Sequence, residues 1–211
     1  MFEHELFLII LTLKNQIFYK IFMIILSQNM TNLDMELPKD AIFRINLAWI
    51  NSLDELKLIL EKHHDREIFL DLPQNRTKPP NNKYSMDEIR PILENFSNIK
   101  YFAISNVDSK EVLSEFLGYI PKNITIVPKI ESKSGIDNIE EISSLLGENK
   151  IVMLDHDDLF SSMLKSGDDP KNFPVYVKSL IDFCNQNNVT LLRTVGVMFA
   201  DTENRISDYV N

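Results

Sequence analysis

Two short segments of this 211-residue chain concentrate groups whose types and spacing could do chemistry. Lys129-Ile130-Glu131 closes the apolar run 125–131. In a strand, alternate residues share a side, so Lys129 and Glu131 point the same way. Asp155-His156-Asp157-Asp158 follows the next apolar run, 150–154. If the two runs are adjacent parallel strands, Glu131 and Asp158 are neighbours. Two carboxylates with the remaining positions left to water suit Mg2+ or Mn2+, hard cations that take oxygen ligands and keep sites open for substrate. The same residues also fit a plainer account: a solvated strand end for Lys129 and Glu131, and a helix-capping loop for the aspartates. Acidic groups favour helix N-termini without any metal. A third group is Arg44, inside the apolar run 42–48. An unpaired arginine is costly to bury there. It either captures a carboxylate or phosphate through its planar fork or pairs internally, for example with Asp71 on the next strand. Asn46 and Asp71 read either as groups that support the site residues from behind or as strand-end caps, the caps being the leaning.

The elements that position these groups repeat along the chain. β-branched and apolar runs at 42–48, 67–72, 101–107, 125–131, 150–154 and 190–195 read as strands. Between them lie segments with helical periodicity, opened by capping boxes at Ser52-x-x-Glu55, Ser85-x-x-Glu88 and Asp108-x-x-Glu111. Residues 73–84 are polar and rich in Pro and Asn, a loop. The periodicity predicts a helix after residue 135 that Gly147 stops, a long polar loop over 155–174 with at most a short helix, a helix over 175–186 and a final helix over 201–210. Residues 20–26 supply a candidate seventh strand. Alternation of this kind implies a parallel sheet. Polar residues sit at the carboxyl ends of many strands: Asn46, Asp71, Ser105, Glu131, Asp155 and Thr194. Spread over so many strands, they favour the carboxyl face of a TIM-type (β/α)8 barrel over the single crevice of a doubly wound sheet. With six to seven strands visible, an incomplete barrel is the expectation.

Composition narrows the function classes. Lys plus Arg total 22 and Asp plus Glu 31, a net charge of −9. Such a chain lacks the basic surface that phosphate binding needs, so nucleic acid is not an expected partner. A single cysteine, Cys184, excludes an internal disulfide framework and a four-cysteine zinc site. Neither a P-loop nor a dinucleotide glycine fingerprint is present. Residues 6–13 (LFLIILTL) and 17–26 (IFYKIFMIIL) are strongly apolar, but neither reaches the roughly 20 residues that span a bilayer. Glu3 and Glu5 do not suit the start of a signal peptide. Three readings fit this stretch: a buried strand with a preceding helix, sequence upstream of a true start at Met30 or Met35, or a membrane-associating segment. We therefore expect an apolar N-terminal extension over 1–29, one barrel domain over 30–211, no stable membrane span and a cytoplasmic location.

The motif residues also carry a family resemblance. VPKIESKSGIDNIEEI at 127–142 resembles the K-I-E-x-x-x-G-[VI]-x-N-[LIF]-x-E-I signature of the phosphoenolpyruvate/pyruvate barrel superfamily. One branch is pyruvate kinase. The other comprises the pyruvate-dependent class II aldolases and the citrate lyase β-subunit family. FRINLAW at 43–49, IFLDLPQNRTK at 68–78 and YFAISNVDSKEV at 101–112 are similar to pyruvate kinase strands. The stretch 158–192 resembles the aldolase branch. The resemblance implies a divalent metal, Mg2+ or Mn2+, on Glu131 and Asp158, and phosphate or carboxylate binding by Arg44 and Arg76.

The leading expectation is a metal-dependent carbon–carbon lyase, aldolase/citrate lyase-like, acting on a 2-oxo acid or related carboxylate through a metal-stabilised enolate. Arg44 would hold the carboxylate. Lys129 would add positive charge or relay a proton, and a base role would need a depressed pKa. Backbone N–H groups near Asp157 and Asp158 would bind carboxylate oxygens, and Thr194 resembles a proton-relay threonine of pyruvate kinase. The aldolase loop histidine has no clear match; His156, or the pair His63-His64, is the candidate substitute. One alternative is a pyruvate kinase-like enzyme without its lid domain, of which only 73–84 remain. Ala48, Trp49 and Asp155-His156-Asp157 depart from that branch, which argues against phosphoryl transfer from ATP. The other alternative is a catalytically degenerate barrel that binds a metabolite or partner. A small-molecule carboxylate is the expected partner, with a second copy of the chain as a further one.

Overall fold

The computed structural model describes residues 7–11, 23–32, 36–75 and 81–197. In chain order its elements are β1 (Phe7–Leu11), β2 (Ile25–Ser27), β3 (Ile42–Asn46), α1 (Leu53–Lys62), β4 (Ile68–Leu72), α2 (Met86–Asn95), β5 (Ile99–Ile104), α3 (Lys110–Leu117), β6 (Thr125–Ile130), α4 (Lys133–Asp137), α5 (Ile139–Ser144), β7 (Ile151–Leu154), α6 (His156–Ser166), α7 (Phe173–Gln186) and β8 (Thr190–Val197). At α1, α2, α3, α4 and α6 a side-chain oxygen starts the helix by taking a backbone N–H that has no partner within it. Ser85 and Glu88 form a full capping box at α2. At α1, Ser52 accepts from Glu55 N, but the Glu55 carboxylate reaches back to Asn51 N, one residue further than a closed box.

β2 to β8 are all parallel and pair in sequence order, with no reversal. A doubly wound sheet needs a reversal; this order instead sends every right-handed crossover to one face. β1 pairs antiparallel with β8 at one edge. Cα atoms of β1 and β2, the two edges, come within 8 Å of one another, so the sheet curls round on itself. A uniform (β/α)8 barrel has eight parallel strands; here seven are parallel and the eighth runs the other way. β2 at Ile25–Ser27 occupies the place of the expected seventh strand, and Ile25 is fully buried.

The apolar residues divide into two layers. The larger joins helix residues such as Leu56, Ile89, Leu113 and Leu180 to strand residues such as Phe43, Leu70 and Phe102. The smaller contains strand residues alone among its buried members: Ile25, Ile42, Phe69, Ala103, Val127, Ile151, Met153 and Leu192. They represent all seven parallel strands and fill the inner face of the curl. The alternation of side chains along each strand produces both layers from one run of residues.

Several local expectations are corrected. Residues 156–166 are an eleven-residue helix rather than part of a loop. Its buried Leu159 and Met163 are one turn apart, Phe160 packs beside them, and most of its other residues are polar. α3 is capped by Ser109, not Asp108, because Asp108 accepts a hydrogen bond from the Ser132 hydroxyl. The helix expected before Gly147 is split at Asn138, whose side chain donates to Asp108 O. Gly167, in the left-handed conformation at φ 74°, ends α6. The expected helix over 201–210 lies outside the described residues. Among those described, no helix is long and apolar enough to cross a membrane.

Cys184 on α7 is buried, and burial pushes its thiol up to about 12. The thiolate is the reactive form, so the folded protein is expected to resist a disulfide-exchange reagent at pH 8 and to react once in denaturant. Rapid native labelling would contradict this packing of α7. In the same layer, Phe102→Ala should lower stability by about 3–5 kcal/mol in urea unfolding, since Phe102 is fully buried.

Candidate metal centre

All seven parallel strands present their carboxyl ends to one face. There the inner side of the sheet changes from apolar to polar within two residues. Arg44 follows Ile42 on β3 and Asp71 follows Phe69 on β4. Ser105 follows Ala103 just beyond β5, Lys129 and Glu131 follow Val127 at the end of β6, and Asp155 follows Met153 after β7. Asp71, Ser105, Lys129 and Glu131 are at most 2% exposed.

Charges this deep need partners, and the strand register supplies them. Arg44 donates through Nε to Asp71 Oδ2 at 2.9 Å and through Nη2 to the same oxygen. Lys129 Nζ lies 3.7 Å from that oxygen, 2.8 Å from Glu131 Oε1, and donates to Ser105 Oγ at 3.0 Å. Burial alone would lower the pKa of Lys129, but the carboxylates of Asp71 and Glu131 outweigh it and hold the pKa above its usual value. The same balance, with Asp71 as the main partner, raises that of Arg44. Both stay cationic at neutral pH.

One ligand oxygen from each of Glu131, Asp155 and Asp158 lies within 4.8 Å of the others. Burial raises the pKa of Glu131; Lys129 opposes this, and Asp155 and Asp158 add to it. Arg44 and Lys129 lie among the carboxylates of Asp71 and Glu131. The oxygen donors of Glu131, Asp155 and Asp158 are of the hard type that suits a divalent cation such as Mg2+ or Mn2+. Glu131 Oε2 accepts from Asn106 N at 2.8 Å. Oε1 is paired with Lys129 Nζ at 2.8 Å.

The spacing of the 129–138 segment has a mechanical reason. Ser105, Asn106 and Val107 form the turn after β5, and residues 129–138 clasp it. Val107 N donates to Lys129 O at 3.2 Å. Ser132 caps α4 and donates to Asp108, while Asn138 Nδ2 donates to Asp108 O at 2.8 Å. Gly135 sits between them, where a Cβ would meet Val107 O at 2.9 Å. That close approach requires glycine.

Of the residues expected to form a site, the structure brings together Arg44, Lys129, Glu131 and Asp158. It resolves two choices left open by the sequence. Arg44 makes the internal pair with Asp71, and Asp71 is the hub of the ion pairs rather than a strand-end cap. Asn46 is a cap, accepting from Ala48 N. Lys129 is held as a cation between the carboxylates of Asp71 and Glu131. His156 is buried against Phe173 in the helix–sheet layer, and its Nε2 accepts from Arg193 Nη2 at 3.1 Å. His63 is likewise buried, edge-on to Phe43 at 5.0 Å, and burial lowers its pKa, so it is not a surface charge at the helix end.

Asp157 is exposed in the first turn of α6, and the backbone N–H of Asp158 is taken by the Asp155 side chain at 3.3 Å. Thr194 pairs with Ile10 in the β8–β1 ladder; its side chain and Arg76 lie outside the described residues. Two participants were not given these roles from the sequence: Asp155, read only as part of the 155–158 segment and as a polar strand end, and Asn106, which carried no signal.

Asp71→Asn removes the carboxylate shared by Arg44 and Lys129 and is expected to cost about 3–5 kcal/mol in urea unfolding. Lys57→Ala, which breaks the exposed pair with Asp54, should leave the midpoint nearly unchanged. Equal effects would contradict the role given to the buried chain of ion pairs.

No family model and no curated protein matches the chain. Among solved structures, RipC from Yersinia pestis is similar, with a TM-score of 0.52 and 15% identity over 80% of this chain and 79% of that one. At this identity the likeness concerns the curled α/β fold alone.

Proposed function

We propose that the chain is a divalent-metal-dependent carbon–carbon lyase, aldolase/citrate lyase-like, built on a TIM-type barrel and acting on a 2-oxo acid or related small carboxylate. The observation that carries this reading is the gathering of Glu131, Asp155 and Asp158 within 4.8 Å at the carboxyl ends of adjacent parallel strands. Active sites of barrel enzymes sit on that face. Glu131, Asp155 and Asp158 would hold Mg2+ or Mn2+. When bound, the ion supplies a Lewis acid that draws charge onto a carbonyl oxygen. Arg44 and Lys129 are fixed cations on the same inner face, aligned before substrate arrives, the preorganisation that makes electrostatic stabilisation effective. Asp71 sets their positions and offsets part of their charge, so the site discriminates by geometry as well as by net charge.

A second reading is a barrel of the same design that binds metal and carboxylate without turnover. It is favoured by one observation: Lys129 is held as a cation between two carboxylates, and His156 Nε2 is engaged by Arg193.

Calorimetry with oxalate, a planar dicarboxylate, tests the shared part. Oxalate should bind only with Mn2+ present, and Asp158→Asn should weaken Mn2+ binding by at least roughly tenfold. No metal-dependent binding by the folded protein would overturn both readings. Deuterium exchange into the methyl group of pyruvate then separates them: Mn2+-dependent exchange supports the lyase, and its absence leaves the binding barrel.

A further inference from the structure

We infer that Asn106 is a positioning residue for the metal, its left-handed backbone aiming one N–H at Glu131 so that the carboxylate is held ready for the ion. The inference rests on the metal reading above and assigns the device that orients its most buried ligand.

Asn106 has φ 52°. Among the described residues the other non-glycine positions with positive φ are Asn75 and Asn188. Asparagine enters this region more readily than most residues because its short amide can bond locally. Here the amide does so: Nδ2 donates to Gln74 O at 2.7 Å, on the loop that leaves β4. The neighbouring backbone groups are fixed on both sides. Ser105 N donates to Leu72 O at 3.1 Å and Val107 N to Lys129 O at 3.2 Å. Between these two anchors, the Asn106 N–H points at Glu131 Oε2, 2.8 Å away.

Glu131 is fully buried, so the orientation of its carboxylate depends on such contacts. Lys129 holds Oε1 from one side as an ion pair. Asn106 holds Oε2 from the other. A carboxylate has about four lone-pair sites, and these two contacts leave room for a cation while blocking rotation of the group. With an extended backbone at residue 106, the N–H would leave Oε2 and the carboxylate would turn toward Lys129.

The test separates backbone conformation from side chain. Asn106→Gly keeps the N–H and favours positive φ; Asn106→Val keeps the N–H but resists positive φ because of its β-branch. Calorimetric titration with Mn2+ alone should give the Gly variant an affinity close to wild type. The Val variant should lose roughly 10- to 100-fold, the scale seen when a partner orienting a metal ligand is lost. Circular dichroism establishes that each protein is folded, and Asn106→Ala, which resists positive φ more mildly, takes the place of the Val variant if that one does not fold. A folded Val or Ala variant with wild-type affinity would overturn the inference, as would a Gly variant as weak as the Val variant. Loss of metal-free stability with unchanged Mn2+ affinity would assign Asn106 a purely structural role and overturn it too. If wild type itself binds no Mn2+, the metal reading fails, and this inference with it.

Discussion

The structure depends on how it handles charge taken out of water on the inner face of the sheet. Asp71, Lys129 and Glu131 are almost completely buried, and Arg44 is close to it. Isolated ions there would each cost several kcal/mol. The parallel register solves this by pairing: β3 offers Arg44 to Asp71 on β4, and β6 brings Lys129 to the same oxygen across β5. Beside these pairs, Asp155 and Asp158 each bring a ligand oxygen within 4.8 Å of one from Glu131. Glu131 thus belongs both to the ion pairs and to the candidate metal centre.

The backbone serves this cluster. The turn at Ser105–Val107 and the segment 129–138 are stitched together by hydrogen bonds to side chains and main chain alike. Gly135 allows α4 to approach the turn. Ser132, Gly135 and Asn138 touch no carboxylate of the cluster in this account; they fix the loop that does. The apolar layer beneath, from Ile25 to Leu192, contributes by excluding water and setting the strand ends at one level. Low local polarity strengthens every interaction above it.

Much of this was legible in the residues. Alternation of apolar runs with capped helical segments implied a parallel α/β sheet, and polar strand ends implied a face where they gather. The neighbourhood of Glu131 and Asp158 followed from side-chain alternation plus strand adjacency. Other features need information that one sequence does not carry. Asp71 was legible as a partner for Arg44 on the next strand, but its second contact, with Lys129 across β5, belongs to tertiary structure. His156 looked available because it follows Asp155. The helix begins there, and one residue of rotation turns the ring onto Phe173 instead. α6 was hidden because solvent-facing polar residues outnumber the buried ones that mark it.

The central claim is that Glu131, Asp155 and Asp158 bind one divalent ion. Anomalous diffraction from a crystal soaked in Mn2+ tests it most directly. The account predicts a single strong peak bounded by the three carboxylates, with Lys129 still paired to Glu131. An ordered structure without that peak, or with Mn2+ only at other carboxylates, would contradict it.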